Sequence, residues 1–253
     1  MTDLHSHILP EMDDGAKDVA SSLQMLESES LNGVTQVALT AHFNVERMDA
    51  DTFCARRAQS WNKLSAALTD TVYVEKLKLK LGAEVFFSPK LSEMDLTPLC
   101  LQGTDYMLLE LPTNYEPYLF YETLRSISGM GIILILAHIE RYPYLMESSD
   151  RLYELAASGI YIQTNCNSLL LSGRSRKQIL RGIDRGLIHL LSTDAHDPVH
   201  RRVNMKEGMD VVSKMLGSDR CRQLSDTADR IFNGLRPEDI ALCKPGKLLK
   251  WRR

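Results

Sequence analysis

Apolar residues along the chain keep two rhythms in turn. From Asp18 to Leu31, Val19, Leu23, Leu26 and Leu31 recur at near-helical spacing, Gly33 follows where a helix ends, and Val34 to Leu39 then forms a strand-sized run. The same punctuation returns with Gly129 and Gly131 before Ile132 to Leu136, Gly159 before Ile160 to Gln163, and Gly186 before Leu187 to Leu191. Further strands are predicted over Leu77 to Ala83 and Tyr106 to Leu111, with a helix over Asp51 to Leu68 and a connecting segment containing Pro89 and Pro98. Asp3 to His7 adds a first strand and brings the count to seven. Helices alternating with short, fully apolar strands indicate a parallel sheet covered by helices. Seven such units without a glycine-rich dinucleotide turn suit a closed or nearly closed α/β barrel better than an open sheet, and periodicity leaves closure open. After Asp197 the pattern is helical only, over Asn204 to Leu216 and Asp219 to Asn233. With no linker to divide it, the chain 1–253 is expected to be a single domain with a helical part from about 203 and a short basic tail at 244–253.

Polar residues sharpen this picture by where they fall. In βα barrels, catalytic groups sit at the C-terminal ends of strands. Asp3-Leu4-His5-Ser6-His7 places two imidazoles two residues apart, on one face of an extended strand with Leu4 on the other, and Asp13-Asp14-Gly15 follows. Later strand ends carry Thr40-Ala41-His42, Gly82-Ala83-Glu84, Leu109-Glu110-Leu111, Ala137-His138-Ile139-Glu140-Arg141, Thr164-Asn165-Cys166-Asn167-Ser168 and Ser192-Thr193-Asp194-Ala195-His196. Taken singly, each has an ordinary structural explanation. Together, five of the seven histidines would crowd into one mouth, which is costly without ions or hydrogen-bond partners. The expected metal ligands are His5, His7, Asp14, His42, Glu84, Glu110, His138, Asp194 and His196. Nine candidates suit two or three divalent ions better than one, since a catalytic ion commonly takes about three protein ligands. Imidazole and carboxylate without thiolate suit manganese, iron, zinc or magnesium. Arg141, and Arg201 or Arg202, stand close enough in sequence to reach an anion at such a site; His189, mid-strand, and His200 are expected to be structural or solvated.

Composition then excludes alternatives. A net charge of −3 offers no basic excess for a general nucleic-acid binder. Five cysteines, at 54, 100, 166, 221 and 243, form neither a disulfide framework nor the Cys-x-x-x-x-x-Arg loop of a cysteine phosphatase, and the expected home is a reducing cytoplasm. No apolar run approaches a membrane span and no signal peptide is legible at the N-terminus. The tail ending Lys250-Trp251-Arg252-Arg253 is expected to be solvated, with transient membrane-side association as the minority reading.

Asp-Leu-His-Ser-His, Asp-Asp-Gly, Thr-Ala-His, Gly-Ala-Glu, Ala-His-Ile-Glu-Arg-Tyr, Gln-Thr-Asn-x-x-Ser and Ser-Thr-Asp-Ala-His, in this order over residues 3 to about 202, resemble the polymerase and histidinol phosphatase (PHP) superfamily. More closely they are similar to its bacterial capsule and exopolysaccharide branch of manganese-dependent protein-tyrosine phosphatases. The resemblance implies a distorted seven-stranded PHP-type βα barrel holding three ions. His5, His7, Glu84 and Asp194 would surround one ion, a bridging Glu84 with Glu110 and His138 a second, and Asp14, His42 and His196 a third. Arg141 and Arg201 would hold the substrate phosphate. The implied activity is hydrolysis of phosphotyrosine on the tail of a tyrosine autokinase that regulates polysaccharide synthesis and export. The same barrel and ligands would also serve a small-metabolite phosphatase of the histidinol-phosphate type; a non-catalytic, metal-bound docking protein is the alternative from another class. Ala41 departs mildly from the branch, and residues 43–75 and 203–253 carry no motif of it.

Overall fold

The computed structural model describes residues 1–68 and 76–235, so the basic tail at 244–253 and Cys243 lie outside the described residues. The strands are β1 (Thr2–Ser6), β2 (Gln36–Leu39), β3 (His42–Phe43), β4 (Lys78–Leu81), β5 (Glu84–Phe86), β6 (Tyr106–Glu110), β7 (Ile133–Leu136), β8 (Tyr161–Asn165) and β9 (Leu190–Ser192). Between and after them run α1 (Val19–Leu31), α2 (Ala50–Leu68), α3 (Phe120–Gly129), α4 (Pro143–Met146), α5 (Ser149–Ala157), α6 (Cys166–Leu170), α7 (Arg174–Asp184), α8 (Met205–Leu216) and α9 (Ser218–Phe232). Local chemistry sets several boundaries. The Asp18 carboxylate caps α1 by accepting from Ser21 N at 2.7 Å, and Gly33 (φ +77°) takes the left-handed turn after it that a side chain would strain.

All strand pairs are parallel, as expected, and they form two sheets, ordered β1-β2-β4 and β3-β5-β6-β7-β8-β9. Two expected strands, Val34 to Leu39 and Leu77 to Ala83, contain β2 and β4, and each is followed past its expected end by a further short strand, β3 and β5. The chain leaves the first ladder at Thr40-Ala41 and at Gly82-Ala83, then pairs again as His42↔Glu84 in the second sheet. The sheets adjoin there through hydrogen bonds from Gly82 N to Leu39 O and from Glu84 N to Ala41 O, both 3.0 Å. On the far side, β1 meets the end of β9 through one isolated bridge, Ser6↔Ala195, with His7 N donating to Ala195 O at 2.8 Å. Among the described residues no continuous ladder makes the two sheets one.

Alternating side chains divide the core in two. Val37, Leu39, Met107, Leu109, Leu134, Leu136, Ile162 and Leu191 pack outward against helices, including Met25 and Leu26 of α1 and Phe53 and Leu64 of α2. The opposite face gathers Leu4, Ala38, Leu108, Ile135, Tyr161 and Leu190 with Ala228, Ile231 and Phe232 of α9. α9 therefore seals the end of the sheets where strands begin. Its Asp229 accepts from Thr2 Oγ1 at 2.9 Å and Gln36 Nε2 at 2.5 Å, and Lys80 Nζ donates to Phe232 O at 2.6 Å. One expectation is corrected at β1, where Leu4 does not pack away from the histidine face. An extra residue between the pairs Asp3↔Val37 and Ser6↔Leu39 bulges the strand, so Leu4 joins the inner cluster while His5 still turns toward the same side.

His189 precedes β9 and is not mid-strand; its structural role holds, since its N donates to Ile162 O and its Nδ1 accepts from Ile162 N at 2.9 Å. Its Nε2 has no partner, and burial pushes its pKa down to about 4 from 6.5. Between those values the unfolded chain binds the extra proton, so this group's contribution to stability is complete above pH 6.5 and is lost as pH falls toward 4, by about 3 kcal/mol. Urea unfolding of wild type and His189→Leu across this range is expected to show their stability difference shifting in favour of the variant as pH drops; a pH-independent difference would refute the assignment.

Candidate metal centre

The strand ends converge on one buried cluster of imidazoles and carboxylates. His5 and His7 leave β1, His42 opens β3, Glu84 opens β5, Glu110 ends β6, and His138 and His196 with Asp194 follow β7 and β9. Parallel register sets the pairing: His42 lies opposite Glu84, and Phe86 opposite Glu110. His5 Nε2 and His7 Nε2 lie 3.2 Å apart, and each lies 3.2 Å from Glu84 Oε2. His42 Nδ1 lies 3.0 Å from that same oxygen, and His138 Nε2 lies 2.8 Å from Glu84 Oε1. Glu110 is 3.6 Å from both His42 and His138. Asp14 stands at the mouth, 3.4 Å from His42 Nε2 and 3.5 Å from His196 Nε2.

All nine residues expected as ligands thus meet in one network. Three groups within it place donor atoms close enough to share an ion: His5, His7 and Glu84; His7, Asp14, His42 and His196; and His42, Glu84 and Glu110. This grouping differs from the implied one in giving His7 and His42 to two groups each and in leaving His138 and Asp194 outside all three. A divalent cation fits the chemistry. Glu84 Oε2 and His196 Nε2 are buried without a hydrogen-bond partner, although three imidazole nitrogens approach the former. Donor atoms sharing one ion at bonds of about 2.1 Å lie roughly 3.4 Å apart, near the spacings seen here.

A set of interactions not anticipated from sequence orients these donors. Four imidazoles have Nδ1 engaged, which leaves Nε2 for the centre: His5 on Gln163 Oε1 (3.3 Å), His7 on Asp13 Oδ2 (2.8 Å), His138 on Tyr142 Oη (3.1 Å) and His196 on the Asp194 carbonyl (2.9 Å). Asp13 also accepts from His42 N at 2.8 Å. Its loop depends on Gly15, where a Cβ would lie 2.2 Å from His7 O. Gln163 further accepts from His138 N at 2.7 Å and donates to Asn165 Oδ1, whose amide donates to Asp194 Oδ2 at 2.7 Å. Glu140 ties the segment to β8, accepting from Thr164 Oγ1, Asn165 N and Ser168 Oγ. The available signal was the Asp-Asp-Gly, Gln-Thr-Asn-x-x-Ser and Ala-His-Ile-Glu-Arg-Tyr motifs, which mark these residues without giving their partners.

His138 (φ +28°) and Asp194 (φ +52°) hold backbone conformations unfavourable for side-chain-bearing residues. Asp194 faces two ways. Its Oδ1 lies 3.4 Å from His5 Nε2 and 3.5 Å from His7 Nε2, while Oδ2 accepts from Arg141 (2.6 Å) and Arg201 (2.9 Å). Arg202 instead pairs with Glu207 at 2.8 Å, and His200 is exposed. Electrostatics follow from this crowding. Burial opposes charge on His5 and His7, yet Glu84 and Asp194 raise the first, and Asp13 and Glu84 raise the second well above the ordinary imidazole value. Burial works against ionised Glu84, but His5, His138 and His42 hold it well below the usual carboxylate range. His196 falls to about 3 through burial and then the charge of His7. Cations entering such a cluster replace protons as the compensating charge.

The fold and site define an α/β protein with parallel sheets whose strand ends gather His, Asp and Glu side chains able to hold metal. Residues 1–233 match the family described as capsular polysaccharide synthesis, CpsB/CapC, and the chain belongs to it. It is 30% identical over 239 residues to the tyrosine-protein phosphatase YwqE of Bacillus subtilis (strain 168), covering 92% of this chain and 91% of that one. With the tyrosine-protein phosphatase CpsB of Streptococcus agalactiae it shares 26% identity over 233 residues, 88% of this chain and 94% of the other. A crystal structure from work on YwqE of Bacillus subtilis and CpsB of Streptococcus pneumoniae, described as unique metal-dependent tyrosine phosphatases, superposes with a TM-score of 0.83 at 26% identity, covering 93% of this chain and 96% of that chain.

Because Gln163 touches both His5 and the backbone of His138, Gln163→Leu is expected to weaken manganese binding about 10- to 100-fold by calorimetric titration. Unaltered affinity in a folded variant would remove its orienting role.

Proposed function

We propose that this chain is a metal-dependent protein-tyrosine phosphatase, cytoplasmic, acting on the phosphotyrosine tail of a tyrosine autokinase that regulates capsular or extracellular polysaccharide synthesis. The observation that carries the reading is the convergence of two guanidinium groups on Asp194 Oδ2, beside a cluster with unpartnered donor atoms at Glu84 and His196. Family membership and the relatives' activities support it. In this reading the nine residues from His5 to His196 hold two or three divalent ions, manganese first among them. The same reading takes the strands as a distorted seven-unit barrel in a single domain, counting β2–β3 and β4–β5 each as one bent unit.

Divalent ions held by these residues would supply Lewis acidity and make a water nucleophile available near neutral pH. The chain's residues do the remaining work. Arg141 and Arg201, 37% and 39% exposed, keep N–H donors open to the mouth and take phosphoryl oxygens, sharing the charge that builds there. Asp194 Oδ2 holds both forks in place, and Asn165 holds Asp194. As the water oxygen bonds to phosphorus the ester P–O bond breaks; one proton of that water ends on the departing phenolate oxygen and the other stays with the phosphate. No thiol is needed. Burial raises Cys100 to about 12 and Cys166 well above the ordinary thiol value, so neither offers a thiolate near neutral pH.

Chelator treatment is expected to abolish hydrolysis of a phosphotyrosine peptide and added manganese to restore it, while a variant with every cysteine changed to serine keeps it. Full activity without metal would overturn the reading, and preference for histidinol phosphate over the peptide would favour the small-metabolite alternative. His5→Ala and Asp194→Ala should lose bound metal, measured by elemental analysis, together with activity. Arg201→Ala should keep its metal and lose about 10-fold or more in kcat/KM.

A further inference from the structure

The connections leaving β6 and β7 meet beside the metal centre. Tyr144 Oη donates to the Pro112 carbonyl at 2.7 Å, and Arg151 donates to the Tyr144 carbonyl at 3.0 Å. The Arg151 guanidinium also pairs with Glu116 and lies 5.9 Å from the centre of the Tyr121 ring. Glu110 precedes the first of these connections, and His138 and Arg141 begin the second, so the contacts join two loops rooted in the site. Their shared surface is aromatic. Tyr118 is 80% exposed and Tyr115 64%, with Tyr121 at 36%, while Pro112, Pro117 and Phe120 are buried beneath. Leu119, 39% exposed, lies in the same stretch, and every other large exposed apolar side chain among the described residues stands alone in sequence.

This loop is held, not loose. Leu119 takes φ +57°, a left-handed conformation without glycine, which costs about 1 kcal/mol or more and persists where surrounding packing imposes it. Keeping tyrosine rings in water on such a framework pre-orders them for contact, since each ring offers a large surface with little side-chain entropy to lose. The nearest charged pair, Arg151 with Glu116, is internally neutralised and calls for no charged partner. Reach also fits. Tyr115 follows Glu110 by five residues, so it stands at most roughly 17 Å away, the span of about five extended residues of a bound polypeptide.

We propose that this aromatic lip docks the polypeptide that carries the phosphotyrosine, taking apolar or aromatic side chains within about five residues of it. The inference rests on the phosphatase reading and adds that the substrate is a polypeptide recognised beyond its phosphoryl group. Steady-state kinetics of the manganese-loaded full chain test it, with a phosphotyrosine peptide bearing apolar flanks and with p-nitrophenyl phosphate. Joint Tyr115→Ser and Tyr118→Ser substitution should raise KM for the peptide about tenfold and leave kcat/KM for the aryl phosphate within about twofold, which also shows that the variant folds. Tyr118→Phe, which keeps the ring, should retain the wild-type peptide KM. Equal loss on both substrates, or no loss on either, would overturn the lip. Failure of the unaltered protein to hydrolyse both substrates would overturn the phosphatase reading and the lip with it.

Discussion

Asp194 is the residue on which the site depends, because one carboxylate meets two opposing demands. Its Oδ1 faces the imidazoles of β1 and its Oδ2 faces the two arginines. A side chain can straddle those regions only from a particular backbone position, and that position is the left-handed one at φ +52°. The strain is contained by the neighbours. Asp194 N donates to His5 O, and Thr193 is gripped through its N and Oγ1 by the buried Asp3 carboxylate. Asp3 also accepts from His5 N, so one buried acid fixes both segments that bear the centre's first and last donors.

The same logic explains the broken sheets. A straight strand through Thr40 and Ala41 would have continued beside β1; the bend instead sets His42 opposite Glu84 and lets Glu84 reach imidazoles from three separate strands or strand ends. Regular pairing is surrendered where the centre needs room, and the local hydrogen bonds at Gly82 and Glu84 keep the backbone satisfied across the break.

Much of this was legible because metal-type residues stand at strand ends, and strand ends are marked by apolar runs with glycine stops. That places His5, His42, Glu84, His138 and Asp194 at one edge of a parallel sheet without any knowledge of contacts. What escaped the sequence depends on distance along the chain. Gln163 meets His5 across 158 residues, and nothing local announces it. Spacing alone leaves Arg201 and Arg202 open, and only the resemblance points to Arg201; in the structure Glu207 takes Arg202, while Asp194 takes Arg201. β3 and β5 were missed because they begin past the apolar runs that mark the expected strands, after the chain changes its hydrogen-bonding partner at Thr40-Ala41 and Gly82-Ala83. α9 was readable as a helix, but its role as the inner seal needed Ala228, Ile231 and Phe232 to be seen against β1 and β2 strand residues.

That seal bears on how the protein comes to hold its shape during synthesis. β1 is anchored at its start by Asp229 of α9, 227 positions away from Thr2, and along its length by Ser192 and Thr193, 188 positions from Leu4 and 190 from Asp3. Translated early, the two imidazoles of β1 wait for the distant segments before their frame exists. Contacts of such long range make assembly slow relative to local structure. A nascent chain therefore emerges with its histidine pair unframed, and the cluster around that pair is complete only once the distant segments have folded against β1.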